Sequence, residues 1–123
     1  MKGLAGKVAL VSGAGGPMGF AVAERLAAEG MQLVLTDISG TRLEAARQAL
    51  EASARVVALR ADATRREEAT AVAALGTQSL GAIDVLVNVV GGFKSTQMYT
   101  PFLHMSESQW DDTLVLNLKP GFH

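Results

Sequence analysis

Four short runs of apolar residues stand apart along the chain, at positions 8–11, 33–35, 56–59 and 85–87. None of them alternates apolar with polar residues, as a strand with one face in water does. Continuous apolar runs of this length are typical of parallel strands that are covered on both faces. The pattern therefore predicts four buried parallel strands.

The segments between these runs carry helical spacing. Apolar residues recur at every fourth position from Met18 to Leu26, and Gly30 stands where such a helix would end. Three pairs with the spacing of a capping box predict the starts of further helices. They are Thr41 with Glu44, Thr64 with Glu67 (before an alanine-rich helix ending near Gly76 or Gly81), and Ser106 with Gln109.

The resulting order is βαβαβαβ, followed by a loop over 91–105 and a last helix. Apolar residues at i+4 spacing predict a stripe on that helix, formed by Trp110, Leu114, Leu118 and Phe122. Crossovers between parallel strands are right-handed, so this order predicts half of a doubly wound sheet. The expected fold class is α/β, an incomplete Rossmann-like parallel sheet forming one domain over 1–123.

Composition narrows the function classes. A net charge of −1, with acids and bases mixed along the 123 residues, argues against a nucleic-acid or membrane surface. The absence of cysteine excludes disulfides and thiolate chemistry. The N-terminus does not have the pattern of a signal peptide, and no apolar stretch is long enough to span a bilayer. His104 and His123 are too far apart to predict a metal site. These features fit a cytoplasmic protein.

A glycine-rich turn joins the first predicted strand to the first predicted helix. Glycines allow a pyrophosphate to approach the backbone there, and the helix start offers unpaired N–H groups with partial positive charge. The turn is therefore a candidate phosphate-binding site. Its residues are Ser12, Gly13, Gly15, Gly16, Pro17, Met18 and Gly19.

Asp37 ends the second predicted strand, 24 residues after Gly13. In a dinucleotide-binding fold, a carboxylate at this point accepts hydrogen bonds from the adenosine ribose and repels a 2′-phosphate. The glycine turn also has no Lys or Arg to hold such a phosphate. Both points favour NAD as cofactor. The nearby Arg42 keeps NADP as a less favoured alternative, and a solvated turn residue is the alternative interpretation of Asp37.

Together, these residues and others resemble the N-terminal half of a short-chain dehydrogenase/reductase, over nearly all of the chain. The turn is similar to the family's Thr-Gly-x-x-x-Gly-x-Gly, with Pro17 in place of its middle glycine. Asp62 and Ala63 match the pair that this family places against adenine. The run Asn88, Val89, Val90, Gly91 resembles the family's Asn-Asn-Ala-Gly, and the helix containing Asn117 resembles the one with the catalytic Asn.

This resemblance implies hydride transfer between NAD(P) and a small carbonyl or alcohol substrate, whose identity the sequence does not reveal. It also implies that Asn117 holds a water of a proton relay at a helix kink. Pro120 predicts such an interruption, because proline cannot donate to the carbonyl of Leu116.

The resemblance further implies a catalytic Ser and a Tyr-x-x-x-Lys pair, which this sequence lacks. Its only tyrosine, Tyr99, is followed four residues later by Leu103. The fourth strand, over 83–90, would be an unpaired apolar edge. We therefore expect a fragment of a longer enzyme that is inactive by itself and forms a homo-oligomer when full length. A non-catalytic nucleotide-binding or interaction fragment is the alternative.

Overall fold

The computed structural model describes residues 3–93 and 100–123. Parallel strands alternate with helices, as the sequence predicts, and the α/β class is confirmed. In chain order the elements are β1 (Val8–Ser12), α1 (Pro17–Ala28), β2 (Gln32–Thr36), α2 (Gly40–Leu50), β3 (Val56–Ala58), α3 (Arg66–Leu80), β4 (Val85–Asn88), a 3₁₀ helix (Phe102–His104) and α4 (Glu107–Phe122).

The four strands form one parallel sheet in the order β3-β2-β1-β4. Ser12, the last residue of β1, lies beside Thr36 of β2 and Asn88 of β4. The carboxyl ends of three strands therefore meet at one edge of the sheet, where doubly wound folds bind ligands. In this sheet β4 is an edge strand, as expected.

Both faces of the central strands are buried, which explains why their sequences are continuously apolar. On one face, Val11 and Leu35 pack in a cluster with residues of α1 and α2. On the other face, Leu10 and Val34 pack with Val72 of α3. The two layers of helices therefore hold the strand ends, and the loops that follow them, in fixed positions.

Two of the three predicted capping boxes are wrong. Ser39 caps α2, and its hydroxyl accepts a 3.4 Å hydrogen bond from the amide of Arg42, so Thr41 lies inside the helix. Thr64 precedes the start of α3 and donates from its hydroxyl to Asp62 (2.6 Å) instead of capping the helix. The third box, at Ser106, is confirmed. Of the two predicted ends of α3, the glycine that follows Leu80 is the correct one.

The predicted interruption at Pro120 is also wrong, because α4 continues to Phe122. Proline removes one backbone donor, but it lies so near the end of the helix that the next bond, from the amide of His123 to Lys119, still forms at 3.0 Å. The predicted apolar stripe of α4 is exposed, with 74% exposure at Phe122. No helix in the part of the chain described here has the length and apolar character needed to cross a membrane.

Candidate functional site

A cleft of about 240 Å³ lies at the carboxyl edge of the sheet. Loops that follow β1, β2, β3 and β4 contribute to it, and α4 covers one side. Eight of the residues that the sequence predicts around a cofactor line this cleft: Gly13, Gly16, Asp37, Asp62, Ala63, Val89, Val90 and Gly91.

Close backbone packing shapes the glycine turn. Gly13 has a φ of +71°, and a Cβ there would lie 3.3 Å from the carbonyl carbon of Val89. A Cβ at Gly19 would lie only 2.1 Å from the carbonyl oxygen of Gly13, so no side chain fits at that position. These two glycines let the start of α1 press against the turn and the turn against the loop after β4.

The first turn of α1 offers hydrogen-bond donors. Its N-cap, Gly16, provides no side-chain cap, and Pro17 has no N–H. Within the described residues, the amides of Met18 and Gly19 have no hydrogen-bond acceptor. Unpaired amides at the positive end of a helix dipole suit an anionic group such as a phosphate.

Asp37 is 5% exposed, yet its carboxylate has three donors. Oδ2 accepts from the amide of Gly15 (3.0 Å), while Oδ1 accepts from the amide of Ser39 (2.8 Å) and from Nη2 of Arg42 (3.3 Å). These bonds offset the cost of burying the charge. The amide of Gly15 is consequently engaged by Asp37, and Gly15 itself does not line the cleft.

Apolar side chains form the adjoining wall of the cleft. Ala63, Ile38 and Leu116 line it, and Ile38 is 56% exposed. Asp62 shapes the loop, because its Oδ1 accepts from both the amide (2.9 Å) and the hydroxyl (2.6 Å) of Thr64. Exposed apolar walls at this spacing suit a flat aromatic ring. The sequence reasoning missed Ile38 and Leu116, although an apolar residue directly after a strand-ending Asp is a usable signal for the first.

Ser12 and Asn88 lie beneath the cleft and do not line it. The hydroxyl of Ser12 donates to Oδ1 of Asn88 (2.6 Å), which joins the ends of β1 and β4. Beside them, the buried hydroxyl of Thr36 has no hydrogen-bond partner. Ser12 and Thr36 both face a second, apolar cavity of about 200 Å³ between the sheet and α3.

Asn117 binds the loop after β4 and does not line the cleft. Its amide nitrogen donates to the carbonyls of Gly92 (2.9 Å) and Thr113 (2.8 Å), and its oxygen accepts from the amide of Gly92 (3.0 Å). Both N–H donors of the side chain are thus used within the chain. In this arrangement Asn117 positions the loop after β4, instead of holding a water with free donors. Tyr99, noted in the sequence, lies outside the described residues.

Comparison with known proteins identifies the family. Residues 7–123 match the family profile described as "short chain dehydrogenase", and the chain belongs to that family. It is 37% identical over 112 residues to a short-chain reductase from Streptomyces niveus, across 90% of this chain and 41% of that protein. It is 38% identical over 115 residues to the 1,6-dihydroxycyclohexa-2,4-diene-1-carboxylate dehydrogenase of Pseudomonas putida, across 94% of this chain and 41% of that protein.

A solved structure shows the same fold with a cofactor name attached. A short-chain dehydrogenase/reductase from Burkholderia phymatum, crystallised in complex with NAD, superposes with a TM-score of 0.86 and 29% identity, over 100% of this chain and 43% of that one. The chain therefore spans less than half the length of the relatives that it matches.

Proposed function

We propose that the complete encoded polypeptide is an oxidoreductase that transfers hydride between a nicotinamide dinucleotide and a small carbonyl or alcohol substrate. Residues 1–123 form its dinucleotide-binding domain in this proposal. The observation that carries it is the cleft, where unpaired amides at the start of α1 and the buried carboxylate of Asp37 lie on either side of the glycine turn. The cofactor, when bound, supplies the hydride acceptor or donor.

The cleft fits such a cofactor in three respects. The amides of Met18 and Gly19 suit the pyrophosphate. Asp37 suits the adenosine ribose, and its negative charge favours NAD over NADP. Ile38 and Leu116 suit the two faces of adenine. Val89, Val90 and Gly91 close the remaining side of the cleft, and Ser12, Asn88 and Asn117 hold its walls in place.

Binding can be measured directly, by titrating the complete polypeptide with NADH and following nicotinamide fluorescence. We expect saturable binding that NAD⁺ displaces. Ala63→Phe should abolish it by filling the adenine wall, whereas Ala52→Phe, in an exposed turn after α2, should leave it unchanged. A folded protein that binds neither NADH nor NADPH would contradict the proposal.

A second candidate is a nucleotide-binding or interaction module without catalysis. The absence of a Tyr-x-x-x-Lys pair from the 123 residues favours it, and so does the exposed apolar stripe of α4. The intact mass of the purified natural product distinguishes the two candidates, because the enzyme needs catalytic residues from a longer chain. In the first proposal this stripe contributes to a homo-oligomer, which sedimentation of the complete polypeptide tests. A cytoplasmic location stays a prediction.

A further inference from the structure

Arg42 occupies the corner of the cleft where the adenosine ribose would lie. Its Nη2 is 3.3 Å from Oδ1 of Asp37, and its side chain lines the cleft while remaining 59% exposed. The carboxylate that should reject a 2′-phosphate is therefore paired with a cation that a 2′-phosphate could also reach. The two opposite charges leave this corner with no net charge.

We propose that Arg42 is a specificity-determining residue that makes this corner permissive for a 2′-phosphate. The inference rests on the proposed function and refines its cofactor preference. Asp37 favours NAD(H), and Arg42 limits that preference by compensating the carboxylate and by offering guanidinium donors to a phosphate. The protein then binds both NADH and NADPH, with a ratio of affinities that depends on Arg42.

The geometry separates the charge of Arg42 from the placement of Asp37. Two backbone amides, those of Gly15 and Ser39, hold the carboxylate at 3.0 and 2.8 Å without any help from Arg42. Removing the guanidinium therefore leaves the carboxylate in position but uncompensated. A loss of NADPH binding on that change reports charge, since a displaced carboxylate would also alter NADH binding.

Arg60 provides a matched control. It is an exposed arginine beside the same turn, and its Nε donates to the carbonyl of Ile38 (2.8 Å), but it does not line the cleft. A general effect of positive charge near the turn would make Arg60→Gln and Arg42→Gln behave alike. The proposal requires them to differ.

The experiment measures dissociation constants of the complete polypeptide for NADH and NADPH by fluorescence titration, with thermal melting to confirm folding. We expect Arg42→Gln to weaken NADPH binding about tenfold, as the loss of one partly exposed ion pair implies, while NADH binding changes less than about threefold. Arg42→Lys should keep most of the NADPH affinity, because it keeps the charge. Arg60→Gln should leave the ratio within about twofold.

A reciprocal variant tests the same pair from the other side. Asp37→Asn should tighten NADPH binding, because Arg42 loses its carboxylate partner, and the gain should vanish in Asp37→Asn combined with Arg42→Gln. A wild-type protein that binds NADH but not NADPH would overturn the inference alone. So would an Arg42→Gln variant that keeps the wild-type ratio or weakens both cofactors equally. Failure of the wild type to bind either cofactor would overturn the proposed function, and this inference with it.

Discussion

The backbone amide of Gly15 donates a 3.0 Å hydrogen bond to Oδ2 of Asp37, which joins the glycine turn to the end of β2. There is no room for a side chain between them. A Cβ at Gly15 would lie 2.7 Å from Cβ of Arg42 and 3.0 Å from that same carboxylate oxygen. The glycine turn, the end of β2 and the first turn of α2 therefore form one interlocked corner of the cleft.

Gly15→Ala should disturb this corner. The backbone of Arg42 lies in a helix and the carboxylate of Asp37 is buried, so neither can move away cheaply. We expect the variant to lose about 1–3 kcal/mol of unfolding free energy, the usual cost of overpacking, and to bind NADH more weakly. Urea unfolding measures the first effect and fluorescence titration the second.

Gly40→Ala is the control for that change. A Cβ at Gly40, the first residue of α2, would lie 3.5 Å from Cδ of Arg60, which is an ordinary contact. Alanine also has the higher helix propensity, so we expect a change of less than about 1 kcal/mol, in the stabilising direction. Equal losses in the two variants would show that the corner is not specially constrained.

Much of the fold could be predicted because its strands are buried on both faces. Continuous apolar runs placed all four strands within one or two residues, and Gly30 and the glycine after Leu80 marked helix ends correctly. The capping boxes at Thr41 and Thr64 failed for a local reason. Ser39 stands two residues before Thr41 and caps α2 first, and Asp62 accepts the hydroxyl of Thr64 before that hydroxyl can cap α3. Spacing alone does not rank such competing hydrogen bonds.

The candidate site divides in the same way. Residues at strand ends, such as Asp37 and Gly91, were predicted to lie in the cleft because parallel strands bring their carboxyl ends together, and they do line it. Ile38 and Leu116 were missed, since Leu116 reaches the cleft only through the packing of α4 over it. The link from Asp37 to Gly15 spans 22 residues and depends on how close α2 approaches the turn, which no local pattern encodes.

Thr36 carries a buried hydroxyl without a hydrogen-bond partner, which costs stability. Thr36→Val removes the hydroxyl and keeps the shape, so we expect the free energy of unfolding to rise by about 1 kcal/mol. Ser12→Ala is the matched change, because the hydroxyl of Ser12 is bonded to Asn88 at 2.6 Å, and it should lower that free energy by roughly 0.5–1.5 kcal/mol. Urea unfolding measures both. A clear loss in Thr36→Val would mean that a buried water satisfies this hydroxyl.

Gly76 lets α3 approach the sheet closely. A Cβ there would lie 2.7 Å from Cγ2 of Val34, in a fully buried contact. The clash outweighs the gain in helix propensity of about 1 kcal/mol, so we expect Gly76→Ala to be destabilising by roughly 0.5–2 kcal/mol in urea unfolding. Gln78→Ala, on the exposed side of the same helix, should change stability by less than about 0.5 kcal/mol. Stabilisation by Gly76→Ala would show that α3 can move away from β2 without loss.

The contact between Asn117 and the loop after β4 can be tested by a double-mutant cycle. A Cβ at Gly91 would lie 2.6 Å from Oδ1 of Asn117, the atom that accepts from Gly92. Gly91→Ala and Asn117→Ala should therefore break the same hydrogen bonds, each lowering the free energy of unfolding by about 1 kcal/mol, a modest value because Asn117 is exposed.

The two losses should not add, since alanine at position 91 has nothing to collide with once the amide of Asn117 is gone. We expect an interaction energy of at least about 0.5 kcal/mol in the cycle, measured by urea unfolding of the two single variants and the double variant. Lys119→Ala, on an exposed part of the same helix, should combine additively with Gly91→Ala. Additive losses at positions 91 and 117 would instead mean that the loop after β4 keeps its position without Asn117, and the positioning role assigned to this residue would be wrong.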